Sequence, residues 1–170
     1  KGYHFKQTED LDCRAITTWP KIHFQGHYHG NKKSIRLSEG MNFFAKVSKS
    51  NVSHLLLSGG LLAIEAENQS AITACETDDS LIRNAKDCEI HHCYANDFLI
   101  QNIAINCNIA FCHTNNPLIK QYADHCEISD CMVTLQDVKL AKEILSTEVS
   151  GICKVLKNKT IVQRCFVFWS

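Results

Sequence analysis

The sequence has no excess of charge of either sign: 18 basic residues stand against 18 acidic ones. That balance removes the electrostatic footprint of a protein that tracks nucleic acid or an anionic membrane surface. A small basic cluster (Lys154, Lys157, Lys159, Arg164) reads as a solvated C-terminal face. No apolar run reaches the ~18 residues that a membrane span needs, and the opening KGYHFKQTED lacks the apolar core of a signal peptide. CxxC knuckles of the zinc-binding kind are missing as well. The chain opens on Lys rather than Met, so it is expected to be an excised or processed piece of a longer protein. Its 170 residues, 45% hydrophobic and 21% charged, suit one folded domain.

What the sequence does have is cysteine, ten in all, six of them between residues 81 and 131. Set out by its Leu-Ile pairs, that stretch falls into three lines, LIRNAKDCEIHHC from Leu81, LIQNIAINCNIAFC from Leu99 and LIKQYADHCEISDC from Leu118. Each ends in Cys-x-Ile-x-x-Cys. The pattern extends upstream through LLAIEAENQSAITAC (Leu61) and FFAKVSKSNVSHLL (Phe43), and it returns in GICKVLKNKTIVQRC (Gly151 to Cys165). There Thr160, Val162 and Cys165 stand where Cys107, Ile109 and Cys112 stand. A fixed period near 20 is the mark of a solenoid, in which each unit supplies one turn of a stack.

Within each phrase the residues alternate as a strand does: Cys88 and Ile90 share one face against Glu89, His91 and His92 interrupt, and Cys93 and Ala95 resume. That reads as strand, corner, strand. Helical repeats need apolar residues at i, i+3, i+4 and i+7, and leucine-rich repeats need an Asn ladder that these lines lack. The fold class is therefore an all-β, single-stranded parallel β-helix with coils of about 18–20 residues, rising ~4.8 Å per coil. The expected core ladder comprises Cys75, Cys88, Cys93, Cys107, Cys112, Cys126 and Cys131 with Ile72, Ile90, Ile109 and Ile128. Residues 1–42 are assigned to N-terminal coils, 43–136 to regular repeats, 137–150 to an insertion with a short helix near 137–145, and 151–170 to a last coil whose FVFWS caps the stack.

In register, stacked cysteines have parallel Cα–Cβ vectors, which cannot give a disulfide its ~90° dihedral without distortion. Free thiols serving as small core hydrophobes are expected, and a chain of that kind suits a reducing cytosol. Alignment puts His92 level with Phe111 and Asp130, His91 with Ala110 and Ser129, His113 with Tyr94 and Met132, and His125 with Asn106 and Asp87. No column collects two His on adjacent coils, so no zinc site and no cofactor is expected. His23, His27 and His29 share strand parity and are the weak metal candidates. Gly26 and Gly30 invite a bulge that would break the parity, and the favoured reading is a polar outer face.

The N-terminal order Tyr3-x-Phe5, EDLD (Glu9 to Asp12), WPKI (Trp19 to Ile22) and FQGHYHGNKKSI (Phe24 to Ile35) resembles the opening of GLUG-type β-helix domains of bacterial surface proteins and immunoglobulin A peptidases. MNFFAKVSKSNVSHLLLSGG and LIQNIAINCNIAFCHTNN are similar to that family's repeats. The chain departs from the family at His29, where an Asp is usual, and in lacking most glycines after the Leu-Ile pairs. The resemblance implies a right-handed helix and a bacterial source. It transfers no catalytic residue.

Catalysis is not expected from the residues either. Glu89 and Glu127 share an acidic column with Asn108 between them, so their carboxylates lie ~9.6 Å apart, at the margin of the ~5–9.5 Å used across a glycosidic bond. A cysteine nucleophile paired with His92 or His113 fails because the cysteines point inward. The expected function is a non-catalytic protein-binding or scaffolding module of a larger bacterial protein, such as the recognition domain of an effector delivered into host cytosol. Its partner would be a protein or the parent chain, with a glycan as the other option. An adhesin or stalk segment and a polysaccharide-acting enzyme are the alternatives.

Overall fold

The computed structural model describes residues 2–136 and 151–169. Its strands are all parallel, and together they wind a β-solenoid of about seven turns with no helix among the described residues. The path is three-sided. One side, face A, is an eight-stranded sheet built from Tyr3–Lys6, Gly26–His29, Asn51–Ser53, Ala71–Thr73, Glu89–His91, Asn108–Ala110, Glu127–Ser129 and Ile161–Gln163. Face B carries the short strands Glu76–Thr77, Tyr94–Ala95, His113–Thr114, Met132–Leu135 and Phe166–Trp169. Face C carries Ile82–Lys86, Ile100–Ile105, Ile119–Asp124 and Cys153–Lys157. Two long strands, Ser34–Ser48 and Leu56–Glu67, run over both B and C and fuse them into one sheet. They bend where the register shifts between Arg36 and Met41. Gly59 sits at that bend with φ +88, and a Cβ there would strike the Leu37 carbonyl, so only glycine fits.

The repeat legible in the sequence is the register of the stack. Val52, Ile72, Ile90, Ile109, Ile128 and Val162 pair successively along face A, all but Val162 fully buried. The step from Ile119 to Cys153 restores the coil after the insertion, whose proposed helix lies outside the described residues.

Corners explain the two residues that interrupt each phrase. Between faces C and A the chain turns through Lys49, Asn68 and Gln69, Asp87, Asn106 and His125. Between A and B it turns through His54, Ala74, His92, Phe111, Asp130 and Arg164. Every one of these has positive φ, between 51° and 62°. One left-handed residue rotates the strand direction within a single step, and Asn, Asp and His tolerate that conformation best. The residue after each corner points inward. After the C–A corner these are Ser50, Ser70, Cys88, Cys107, Cys126 and Thr160; after the A–B corner, Leu55, Cys75, Cys93, Cys112, Cys131 and Cys165.

The aromatic tail does not fold over the end of the core. Phe166–Trp169 continues face B in register on Met132–Leu135, leaving Phe166 and Phe168 exposed outward and Val167 turned in.

Candidate functional site

The ladder residues expected to fill the core are all buried, and all ten cysteines are free thiols. Their placement has a hydrogen-bonding logic. In the column after the C–A corner, each side chain donates to a carbonyl just upstream on its own coil, as Cys88 does to Lys86 (3.1 Å) and Cys107 to Ile105 (3.2 Å), and accepts an N–H from the coil below, as Cys126 does from Cys107 and Thr160 from Cys126. Ser50 and Ser70 do the same, so hydroxyl and thiol interchange there. In the second column, Cys93 donates weakly to His91 and Ile72, and Cys112 to Ala110 and Ile90. Burial pushes the Cys93 thiol above its ordinary value and Cys153 up to about 11. In those two the neutral thiol is favoured, as suits a packing group. The same logic accounts for the triplets Asn68-Gln69-Ser70 and Asn158-Lys159-Thr160, in which a left-handed Asn at the corner precedes a ladder hydroxyl.

Histidine placement corrects one expectation. Adjacent coils do stack histidines at the N-terminal end: His4 on His27 with ring centroids 4.5 Å apart, and His29 on His54 at 4.8 Å. Neither pair follows the 19-residue stride, because the N-terminal coils are longer than the repeat. His23 lies on face C, whereas His27 and His29 lie on face A beyond Gly26, so the three do not converge. Among the described residues no group of three His, Cys, Asp or Glu side chains is arranged to hold a metal ion. Glu89, Asn108 and Glu127 occupy successive strands of face A as expected.

The outer surface of face B is where unlike chemistry gathers. In register from coil to coil stand Leu56, Glu76, Tyr94, His113, Met132 and Phe166. Beside this row runs a second: Asp78, Asn96, Asn115, Thr134 and Phe168. Period two places both rows outward, separated by the buried Thr77, Ala95, Thr114 and Val133, although Asn115 is itself buried beneath its neighbours. The rows are tied together. Asn115 donates through Nδ2 to the Tyr94 hydroxyl (2.9 Å) and to Asn96 Oδ1 (2.8 Å), and the His113 Nε2 lies 3.1 Å from the Thr134 hydroxyl. Tyr94 meets His113 edge-on at 5.3 Å. Partial burial lowers the His113 pKa below its usual value, which favours the neutral ring.

Along this face the character changes in one direction. At its lower end Glu76, Asp78, Tyr94 and Asn96 line a shallow groove with Leu56 and Leu57. None of the four ion pairs among the described residues involves Glu76 or Asp78. At the upper end Met132, Phe166 and Phe168 are exposed, with Phe166 and Phe168 stacked at 6.5 Å. Phe111, 55% exposed at the A–B corner, lies flat on His92 (4.9 Å), and Arg164 clamps Asp130 through two bonds of 2.6 and 2.8 Å in the same column. The sequence contained the signal for this site, because the 19-residue stride already set His113 level with Tyr94 and Met132.

No family model, curated protein or solved structure matches the chain. Fold and site together define its class: a three-sided parallel β-solenoid with a thiol-laddered core and one outward face of graded polarity.

Proposed function

We propose that the chain is a non-catalytic protein-binding module that presents face B to its partner. One observation carries the reading: Phe111, Met132, Phe166 and Phe168, four of the large exposed hydrophobic residues, gather on this face and its corner. A contiguous exposed apolar patch marks an interaction surface, and aromatic and Met side chains are the types enriched at interface cores. A scaffold of stacked strands holds such a row rigidly, which limits the ordering entropy lost on binding. A non-catalytic role is supported by the inward thiols and by the two-strand gap between Glu89 and Glu127. Ten free thiols favour a reducing compartment as the place of action.

Selection from a random peptide library displayed on phage tests the reading, with counter-selection on a triple variant, Met132→Lys, Phe166→Ser and Phe168→Ser. These side chains point outward, so the variant keeps the fold, as circular dichroism checks. Peptides that enrich on the natural chain and fail on the variant are the expected result. Equal enrichment on both, or none on either, removes face B as a protein-binding surface.

A further inference from the structure

Resting on that reading, we infer that face B takes an extended polypeptide segment, basic at one end and aliphatic at the other, laid along the solenoid axis across the strands. The argument is the order of chemistry along the face. Four coil steps separate Glu76 from Phe166, about 19 Å at the strand spacing, and an extended chain covers that span with about six residues. At the lower end Glu76 and Asp78 enter no ion pair among the described residues, Asp78 accepting only the Gly59 N–H (3.0 Å), and the Tyr94 ring stands beside them in the same groove. Carboxylates and an aromatic face together recognise an arginine or lysine. At the upper end Met132, Phe166 and Phe168 offer apolar area to Leu, Ile or Val side chains.

Between the two ends lies the feature that favours a polypeptide over a glycan or an apolar helix. Asn96, Thr134 and the Tyr94 hydroxyl form a row of groups able to donate and accept, braced by the buried Asn115, whose amide N–H groups are taken up by Tyr94 and Asn96. An extended backbone presents one N–H and one C=O per residue and needs partners of that kind. A helix satisfies its own backbone and would leave the amides uncovered. The face also specifies against an acidic segment. Among the described residues Arg164 is already held bidentate by Asp130, and Arg36, the other cation of this row, stands two strands below Asp78, so a carboxylate lying between Glu76 and Phe166 would meet Glu76 and Asp78 first.

Fluorescence anisotropy of labelled eight-residue peptides tests the inference on the full chain. One peptide carries two arginines at one end and two leucines at the other, made in both chain orders. A second replaces Arg by Glu, and a third replaces Leu by Ser. The basic-aliphatic peptide is expected to bind in at least one order, and to weaken about tenfold in the Glu form and on Met132→Glu. The double variant Glu76→Lys and Asp78→Lys should invert the preference, binding the acidic peptide better than the basic one. Loss of fold could abolish binding but could not invert it. Patch-dependent phage peptides with no basic residue, or a preference unmoved by the charge swap, overturn the segment chemistry while the protein-binding reading stands. Binding of neutral oligosaccharides that Tyr94→Ala abolishes, with no peptide bound, overturns both.

Discussion

The N-terminal coils and the cysteine coils follow the same three-sided path but fill it differently. Between residues 19 and 48 the interior is aromatic: Phe24 stacks on Phe44 at 4.9 Å, Phe43 meets Phe44 at 4.5 Å and Tyr28 at 5.6 Å, and Trp19 packs on Phe43 while its indole N–H donates to the Phe43 carbonyl. From residue 70 onward the same volume is filled by repeating columns of Cys, Ile and Ala. The difference follows from coil length. The coil that contains strand 34–48 is the longer one, 24 residues from His27 to its partner Asn51, and takes rings to reach native density, whereas in the 18- and 19-residue coils the core cluster is filled by side chains no larger than Leu. An aromatic interior is therefore singular, each ring fitting one place. A column interior is redundant, each rung repeating its neighbour.

The two interiors should respond differently to the loss of one group. Phe44→Ala takes away a ring that touches Phe24, Tyr28 and Phe43 at once, and chemical denaturation should show a loss of about 3–5 kcal/mol. Ile109→Val removes one methylene from a column whose neighbours are alike, at about 0.5–1.5 kcal/mol. Similar losses from the two would mean that the rings are no more interlocked than the ladder.

A second test separates the two thiol columns. Cys107 stands in a column that already contains Ser50, Ser70 and Thr160, and its geometry of donating to an upstream carbonyl while accepting from the coil below suits a hydroxyl. Cys107→Ser should cost less than about 1 kcal/mol. Cys112→Ser should cost about 0.5–1 kcal/mol more, because the hydroxyl keeps the Ala110 carbonyl (3.3 Å) but falls short of the Ile90 carbonyl that the thiol reaches at 3.6 Å. In the folded chain a thiol reagent should label Cys13 and Cys165, the two half-buried cysteines, and all ten after unfolding. Rapid native labelling of Cys112 would show that the columns open.

The contrast also explains what was legible in the sequence. A column leaves a period, so the strand-corner-strand reading, the levels of Ile90, Ile109 and Ile128, and the return at Val162 could be read from Cys-x-Ile-x-x-Cys alone. Singular packing leaves none. The stacking of His29 on His54 was hidden because the step between them is 25 residues, not 19. The outward row of face B was in view as levels, but its meaning depends on which faces the corners create. One left-handed residue at His92 or Phe111 decides that Tyr94 and His113 open a new face instead of extending face A. Its polarity gradient emerges only when five coils are stacked in space.

The corners offer the finest test, since they are common to both regions while their occupants differ. Ala74 holds φ 51 at the A–B corner without the local hydrogen bonds that let Asn, Asp or His accept that conformation. Its left-handed backbone costs about 1–2 kcal/mol, and glycine removes that cost while adding about 0.5–1 kcal/mol of chain entropy. Ala74→Gly should therefore stabilise by about 0.5–1 kcal/mol and raise the melting temperature by about 1–4 °C. Lys32, left-handed at φ 57 in the N-terminal coils, should respond to Gly in the same sense. Phe111→Gly relieves the same strain but forfeits the stack on His92, so its net gain should be smaller than that of Ala74→Gly. Were Phe111→Gly to stabilise as much as Ala74→Gly, the Phe111 ring would contribute nothing to the fold, and its exposure would be explained by binding alone.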